Sequence, residues 1–205
     1  PIALQGEVSA ATTDAELSRQ GIERHASRCP EGRLALEGGE IRVRWPGLGS
    51  TGVRMSRDVI AIGSDHAGYA LKSLLAEALV TDGYAIIDCG TDDEVVSVDY
   101  PDFGTAVAQM VADGQARFGV VVCGSGIGIS IAANRNPAVR AALCTSGLMA
   151  RLSREHNDAN VLALGSRIIG VEVARDCLQQ FLNTEFAGGR HSGRVAKLSN
   201  LSEVI

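Results

Sequence analysis

The sequence has no basic excess, no long apolar run and no paired-cysteine motif. Lys and Arg number 19 against 24 Asp and Glu, a net charge of −5. Nucleic-acid-binding proteins usually carry the opposite balance, so nucleic acid is not expected as a partner. The most apolar stretch, Phe118 to Ala133, is broken by Gly124, Ser125, Gly126, Gly128 and Ser130. It is too short and too interrupted to span a bilayer, and no membrane partner is expected. No Lys/Arg-then-apolar signal peptide opens the chain. The five cysteines, Cys29, Cys89, Cys123, Cys144 and Cys177, form no C-x-x-C. Neither a disulfide framework nor a zinc site is suggested, and scattered thiols fit a cytoplasmic, reducing location. Phosphate-loop and dinucleotide signatures are missing too. Gly63 to Gly68 has the spacing G-x-x-x-x-G without Gly-Lys-Ser/Thr. Asp88, 20 residues beyond Gly68, only imitates the ribose-binding acid of a dinucleotide site.

What remains is ordinary globular composition, 45% hydrophobic and 21% charged. At 205 residues, one domain, or one domain with an appendage, is expected. Glycine is abundant, at 24 residues, which suggests many tight turns or backbone-lined sites. Charge is unevenly spread. Residues 1–57 hold 8 Arg against 7 acids, while residues 58–205 hold 11 Lys and Arg against 17 acids. One aromatic, Trp45, lies in the first part and seven lie beyond it. We therefore separate an N-terminal extension, 1–57, from a main domain, 58–205.

In the main domain apolar runs predict strands at 58–62, 84–87, 118–122, 139–143 and 161–164. Apolar residues at 3–4 spacing predict helices over 71–79, 103–111, 127–133, 171–182 and 190–198. Leu148, Leu152 and His156 fall on one face of a further helix. The strands lack period-2 alternation, as strands covered on both faces do. The fold class is α/β: a doubly wound parallel sheet with helices on both faces. Ligands of such sheets bind at the carboxyl ends of strands. In the extension, Thr13-Asp-Ala-Glu16 reads as a capping box opening a helix over 14–27, stopped by Pro30. Leu34 to Trp45 reads as a hairpin whose Gly38-Gly39 turn sets Leu36 opposite Ile41 and Leu34 opposite Val43. Such a hairpin is marginal alone and needs a main domain or partner subunit to pack on. The plain alternative is a leader ahead of an original start at Met55.

Four motifs carry chemistry. Gly63-Ser-Asp-His-Ala-Gly68 puts Asp65 and His66 at a strand end, where Asp65 could equally be only a helix cap. Cys123-Gly-Ser-Gly-Ile-Gly128 exposes consecutive backbone N–H groups beside a thiol, an anion-binding turn with Cys123 as base or nucleophile and Ser125 beside it. Burial is the commoner fate of a cysteine, and is expected for Cys89, Cys144 and Cys177. Arg154-Glu-His-Asn-Asp158 ends a helix with His156, the side-chain type most used for proton transfer in neutral solution. Gly188-Gly-Arg-His-Ser-Gly-Arg194 puts Arg190 and Arg194 at i, i+4, a pair suited to phosphate. Together these groups suit proton transfer beside a carbonyl of a small phosphorylated substrate.

These segments, with Asp99-Tyr-Pro101, Gly165-Ser-Arg167 and the run through Asn134 and Asn160, resemble the type B ribose-5-phosphate isomerase family. That family also holds galactose-6-phosphate isomerase subunits. The resemblance covers about 58–200. It implies a Rossmann-like, cofactor-free and metal-free aldose–ketose isomerase of a sugar phosphate. It also implies a homodimer or homotetramer with the active site at the dimer interface. By the same resemblance Cys123 is the base between C1 and C2, and Ser125 handles the hydroxyl proton. Backbone N–H groups of Gly124, Gly126 and Gly128 hold the enediolate, and His156 and Asp65 assist ring opening. His66, Arg167, Arg190 and Arg194 bind phosphate, and Tyr100 and Asn157 contact sugar hydroxyls. Ser125 stands where many members have Thr. Ile129 stands where a second subgroup, lacking the Cys, has Glu. The extension has no counterpart in the family. Ribose 5-phosphate is the expected substrate, with a hexose or tetrose phosphate as alternative. A noncatalytic sugar-phosphate or nucleotide-binding module is the alternative of another class, and the extension could serve assembly.

Overall fold

The computed structural model describes residues 58–199 and two short strands ahead of them, 34–37 and 40–43. Contacts divide the chain into two units, Pro1–Gly52 and Val53–Ile205. In the first unit β1 (Leu34–Glu37) pairs antiparallel with β2 (Glu40–Val43). Leu36 is paired with Ile41 and Leu34 with Val43, the register that a turn at Gly38-Gly39 predicts. The helix expected over 14–27 lies outside the described residues.

The second unit alternates strand and helix. Its elements are β3 (Val59–Ser64), α1 (Tyr69–Thr81), β4 (Ala85–Asp88), α2 (Tyr100–Ala112), β5 (Phe118–Cys123) and α3 (Ile127–Ala133). There follow β6 (Ala141–Leu143), α4 (Gly147–Asn157), β7 (Val161–Gly165), α5 (Val171–Leu182) and α6 (Ser192–Ser199). Short 3-10 turns occupy His66–Gly68 and Gly189–His191. The five strands pair in parallel in the order β4-β3-β5-β7-β6.

The absence of period-2 polarity has a direct cause. Ile60, Ile62, Val120, Val122, Leu162 and Leu164 point to one face and pack against Leu71, Leu75, Ala150, Ala174 and Phe181 of α1, α4 and α5. The intervening Ala61, Val121, Cys123 and Ala163 point to the other face, against Phe103, Val107, Ile129 and Ala133 of α2 and α3. Both faces are covered, so every position of β5 and β7 is buried. Each Val, Leu or Ile so placed contributes about 1.5–3 kcal/mol.

The helix expected around Leu148, Leu152 and His156 is α4, and the face they share is not the buried one, since Leu148 is exposed. The inward residues are Gly147, Ala150, Ser153 and Arg154. Small side chains let α4 lie close to α5: a Cβ on Gly147 would stand 2.1 Å from an Asp176 carboxylate oxygen. The last helix does not begin at Arg190 either. Arg190 sits in the 3-10 turn and Arg194 in α6, so the pair does not share one α-helical face. Gly188 and Gly189, both at positive φ, break the chain there.

The strand order positions the site. From β3 the chain runs to β4 on one side and returns through α2 to β5 on the other. The loops leaving the carboxyl ends of β3 and β5 therefore diverge and leave a crevice, where open α/β sheets bind ligands.

Candidate active site

Asp65 and His66 follow β3 directly. Asp65 is buried, and its Oδ1 accepts the Gly68 N–H at 2.9 Å, so it caps the 3-10 turn. His66 Nδ1 accepts the Val98 N–H at 3.2 Å. That bond assigns the proton of the neutral ring to Nε2. The turn lies hard against β5, for a Cβ on Gly68 would be 2.5 Å from the Val122 carbonyl oxygen.

Cys123 ends β5 and is buried, and its Sγ accepts the Gly126 N–H at 3.1 Å. The turn reaches that geometry because Gly126 adopts φ 76°. A Cβ there would stand 2.5 Å from Leu143 Cδ1 and 2.8 Å from the Leu164 carbonyl carbon, so only glycine fits. Ser125 Oγ accepts the Ile127 N–H at 3.3 Å. Arg167 lies along Gly124, with Nε 3.5 Å from where a Cβ would stand, and its N–H donates to the Gly124 carbonyl at 3.0 Å. Tyr100 opens α2 and rests its phenol on Gly128, where a Cβ would meet Cζ at 2.5 Å. Asp65, His66, Tyr100, Cys123, Gly124, Ser125, Gly126, Gly128 and Arg167 thus share the carboxyl edge of β3, β5 and β7.

His156 and Asn157 end α4, at the opposite edge. The helix starts beyond the carboxyl end of β6, where the Cys144 N–H bonds the Ala163 carbonyl. It finishes before the amino end of β7. Its 11 residues carry the chain back about 16 Å. There Asp158, at φ 46°, holds Arg140 and Arg154, each at 2.8 Å. Arg154 is buried, stacks over Phe118 and donates to the carbonyls of Ala159 and Thr184. The C-terminal arm is tied to the same place by the Ala187 N–H on the Glu155 carbonyl at 3.0 Å. It lays His191 flat on His156, with ring centroids 4.4 Å apart and planes 6° apart. Arg190 Nε donates to His191 Nε2 at 3.3 Å. Partial desolvation, then His156, Arg190 and Arg194, hold His191 below the usual histidine range. His156, Asn157, Arg190 and Arg194 thus belong to a second cluster that one chain does not bring to Cys123.

Cys144 and Cys177 are buried as structural thiols are, and so is Cys123, whereas Cys89, expected to be buried, is only half-buried. Burial, with Cys177 nearby, pushes Cys144 up to about 12, and burial with Asp176 pushes Cys177 to about 11. No group of three His, Cys, Asp or Glu that could hold a metal stands together among the described residues. Among the same residues no helix is long and apolar enough to cross a membrane. Sequence reasoning missed two residues, His191 and Ser166. The first lay inside a quoted motif. The second lay inside Gly165-Ser-Arg167, but nothing local singles it out, since its contacts span up to 99 positions.

A sheet crevice holding a thiol, an imidazole and a glycine turn defines a class of small-molecule enzyme, and comparison with known proteins gives the family. The model of the ribose/galactose isomerase family matches residues 60–198. The chain belongs to that family of aldose–ketose isomerases. It is 42% identical over 144 residues to ribose-5-phosphate isomerase B of Escherichia coli, covering 70% of this chain and 96% of the relative. It is also 42% identical over 144 residues to the putative sugar phosphate isomerase YwlF of Bacillus subtilis, covering 70% and 97%. The solved ribose-5-phosphate isomerase B of Clostridium thermocellum superposes with a TM-score of 0.69 at 53% identity, covering 71% of this chain and 97% of that one.

Proposed function

We propose that residues 58–205 interconvert ribose 5-phosphate and ribulose 5-phosphate through an enediolate, with Cys123 as the base. The observation that carries this reading is the Cys123 sulfur, which receives a backbone N–H inside a glycine turn beside the Asp65–His66 turn. The thiolate removes the proton from C2 of the open-chain aldose and returns it to C1. Ser125 moves the hydroxyl proton between O1 and O2. Negative charge builds on those oxygens as the C2 proton leaves, and the N–H groups of the Gly124–Gly128 turn that are not bonded to Cys123 Sγ or Ser125 Oγ are the donors that stabilise it. His66 and Arg167 bind the phosphate, and Tyr100 a sugar hydroxyl.

His156, Asn157, Arg190 and Arg194 complete the site from a second copy of the chain. Their place at the amino edge supports this, because within one chain α4 separates them from Cys123. Exposed Ile127, Ile131, Leu148 and Met149 near the carboxyl edge supply apolar surface for that copy. His156 of that copy and Asp65 of the first chain serve ring opening, while Arg190 and Arg194 of that copy close on the phosphate. The test is an isomerase assay across tetrose, pentose and hexose phosphates. Fastest turnover of ribose 5-phosphate is expected. Faster turnover of a hexose or tetrose phosphate would reassign the substrate, and no turnover of any would overturn the reading.

A further inference from the structure

Three chain segments meet at the carboxyl edge with almost no side chain between them. Gly165 pairs with Cys123, and a Cβ on Gly165 would stand 2.6 Å from the Ser125 carbonyl group. Gly68 lies as closely on the β5 backbone. The first position with room for a side chain is Ser166. Its N–H donates to the Cys123 carbonyl at 2.9 Å. Its hydroxyl lies 2.7 Å from the Ala67 carbonyl oxygen and 3.2 Å from that of Cys123. One hydroxyl proton is shared between two carbonyls, one in the turn that carries Asp65 and His66, the other on the residue that carries the thiol.

We infer that Ser166 is a positioning residue: it fixes the spacing between the Asp65–His66 turn and Cys123. The inference rests on the isomerase reading of this site. Alanine leaves Cys123 its backbone donor but takes the hydroxyl from Ala67, so the turn is released while the β5 end stays in place. His66 then drifts from where the phosphate sits, and Asp65 from where the ring opens. Simple loss of folded protein lowers kcat through the active fraction and leaves KM alone. A displaced turn raises KM as well.

The experiment compares wild type with Ser166→Ala, Ser166→Cys and Ser166→Thr, reading KM, kcat, melting temperature and the Kd of inorganic phosphate. Ser166→Ala is expected to raise KM and the phosphate Kd about 3- to 10-fold, the range one lost hydrogen bond allows. Its kcat falls too, with melting temperature nearly unchanged. Ser166→Cys keeps the volume with a weak donor and behaves like Ser166→Ala, which covers the case of an alanine variant that fails to fold. Ser166→Thr keeps the hydroxyl and restores both constants. Unchanged KM and phosphate Kd in the alanine and cysteine variants would overturn the inference. A wild type that turns over no sugar phosphate would instead overturn the isomerase reading, and the phosphate Kd would still decide the role of Ser166.

Discussion

Replacing Gly126 with alanine tests the packing of the Cys123 turn, and two other glycines isolate its causes. Gly126 has φ 76°, and an added methyl would meet Leu143 Cδ1 at 2.5 Å and the Leu164 carbonyl carbon at 2.8 Å. Leu143 can rotate away, but the Leu164 backbone lies in a central strand and cannot. Left-handed backbone costs an alanine about 1–2 kcal/mol. Crowding a packed core adds about 1–3 kcal/mol. Gly114 has φ 70° with nothing near its absent Cβ, so Gly114→Ala carries the first cost alone. Gly193 has neither positive φ nor a neighbour, and lies in α6. Alanine there is neutral or stabilises by about 0.5–1 kcal/mol. The assay is urea unfolding followed by circular dichroism, with thermal melting beside it. Gly126→Ala should unfold about 1–3 kcal/mol below Gly114→Ala, which should itself lie below Gly193→Ala. At about 2–4 °C per kcal/mol these gaps are visible in a melting curve. Equal stability of Gly126→Ala and Gly114→Ala would refute the crowding argument.

Three further expectations are smaller. Gly128→Ala should push the Tyr100 phenol aside, since its Cβ would stand 2.5 Å from Cζ; KM should rise with little change in melting temperature, and an unchanged KM would remove Tyr100 from the site. In native protein at about pH 8, iodoacetamide should leave Cys144 and Cys177 unmodified, because burial lifts them to about 12 and 11; peptide mass spectrometry reads this, and rapid labelling of either would contradict it. His191 is held below its unfolded value near 6.5. The unfolded chain therefore takes up that proton first as pH falls, so this contribution is present above pH about 6.5 and lost below it. Melting temperature against pH should be flatter in His191→Gln than in wild type, and identical slopes would contradict the assignment.

The sequence showed the strands because burial on both faces writes an unbroken apolar run, as in Phe118–Cys123. It showed the hairpin register because Gly38-Gly39 leaves one pairing that keeps Leu34 and Leu36 beside Val43 and Ile41. It did not reveal the inner face of α4, because that face is built from Gly147, Ala150 and Ser153, which carry no apolar signal, while Leu148 faces out. The motifs listed the chemistry without its partition. That His156 and Arg190 stand at the opposite edge from Cys123 follows from the chain running back along α4, and spacing along the sequence does not reveal it. Asp65 shows why a motif residue need not have one role, since the cap and the site candidate are the same carboxylate. Ser166 stood in the Gly165-Ser-Arg167 motif, but its contact was invisible because its partner Ala67 lies 99 residues away.

The central claim is proton transfer by Cys123, and isomerisation in deuterated water tests it most directly. Wild type incubated with ribose 5-phosphate should form ribulose 5-phosphate carrying solvent deuterium at C1, read by NMR. Cys123→Ala should lose turnover by at least about 100-fold, the usual contribution of a general base, while still binding inorganic phosphate. Wild-type turnover and deuterium incorporation in Cys123→Ala would contradict the account.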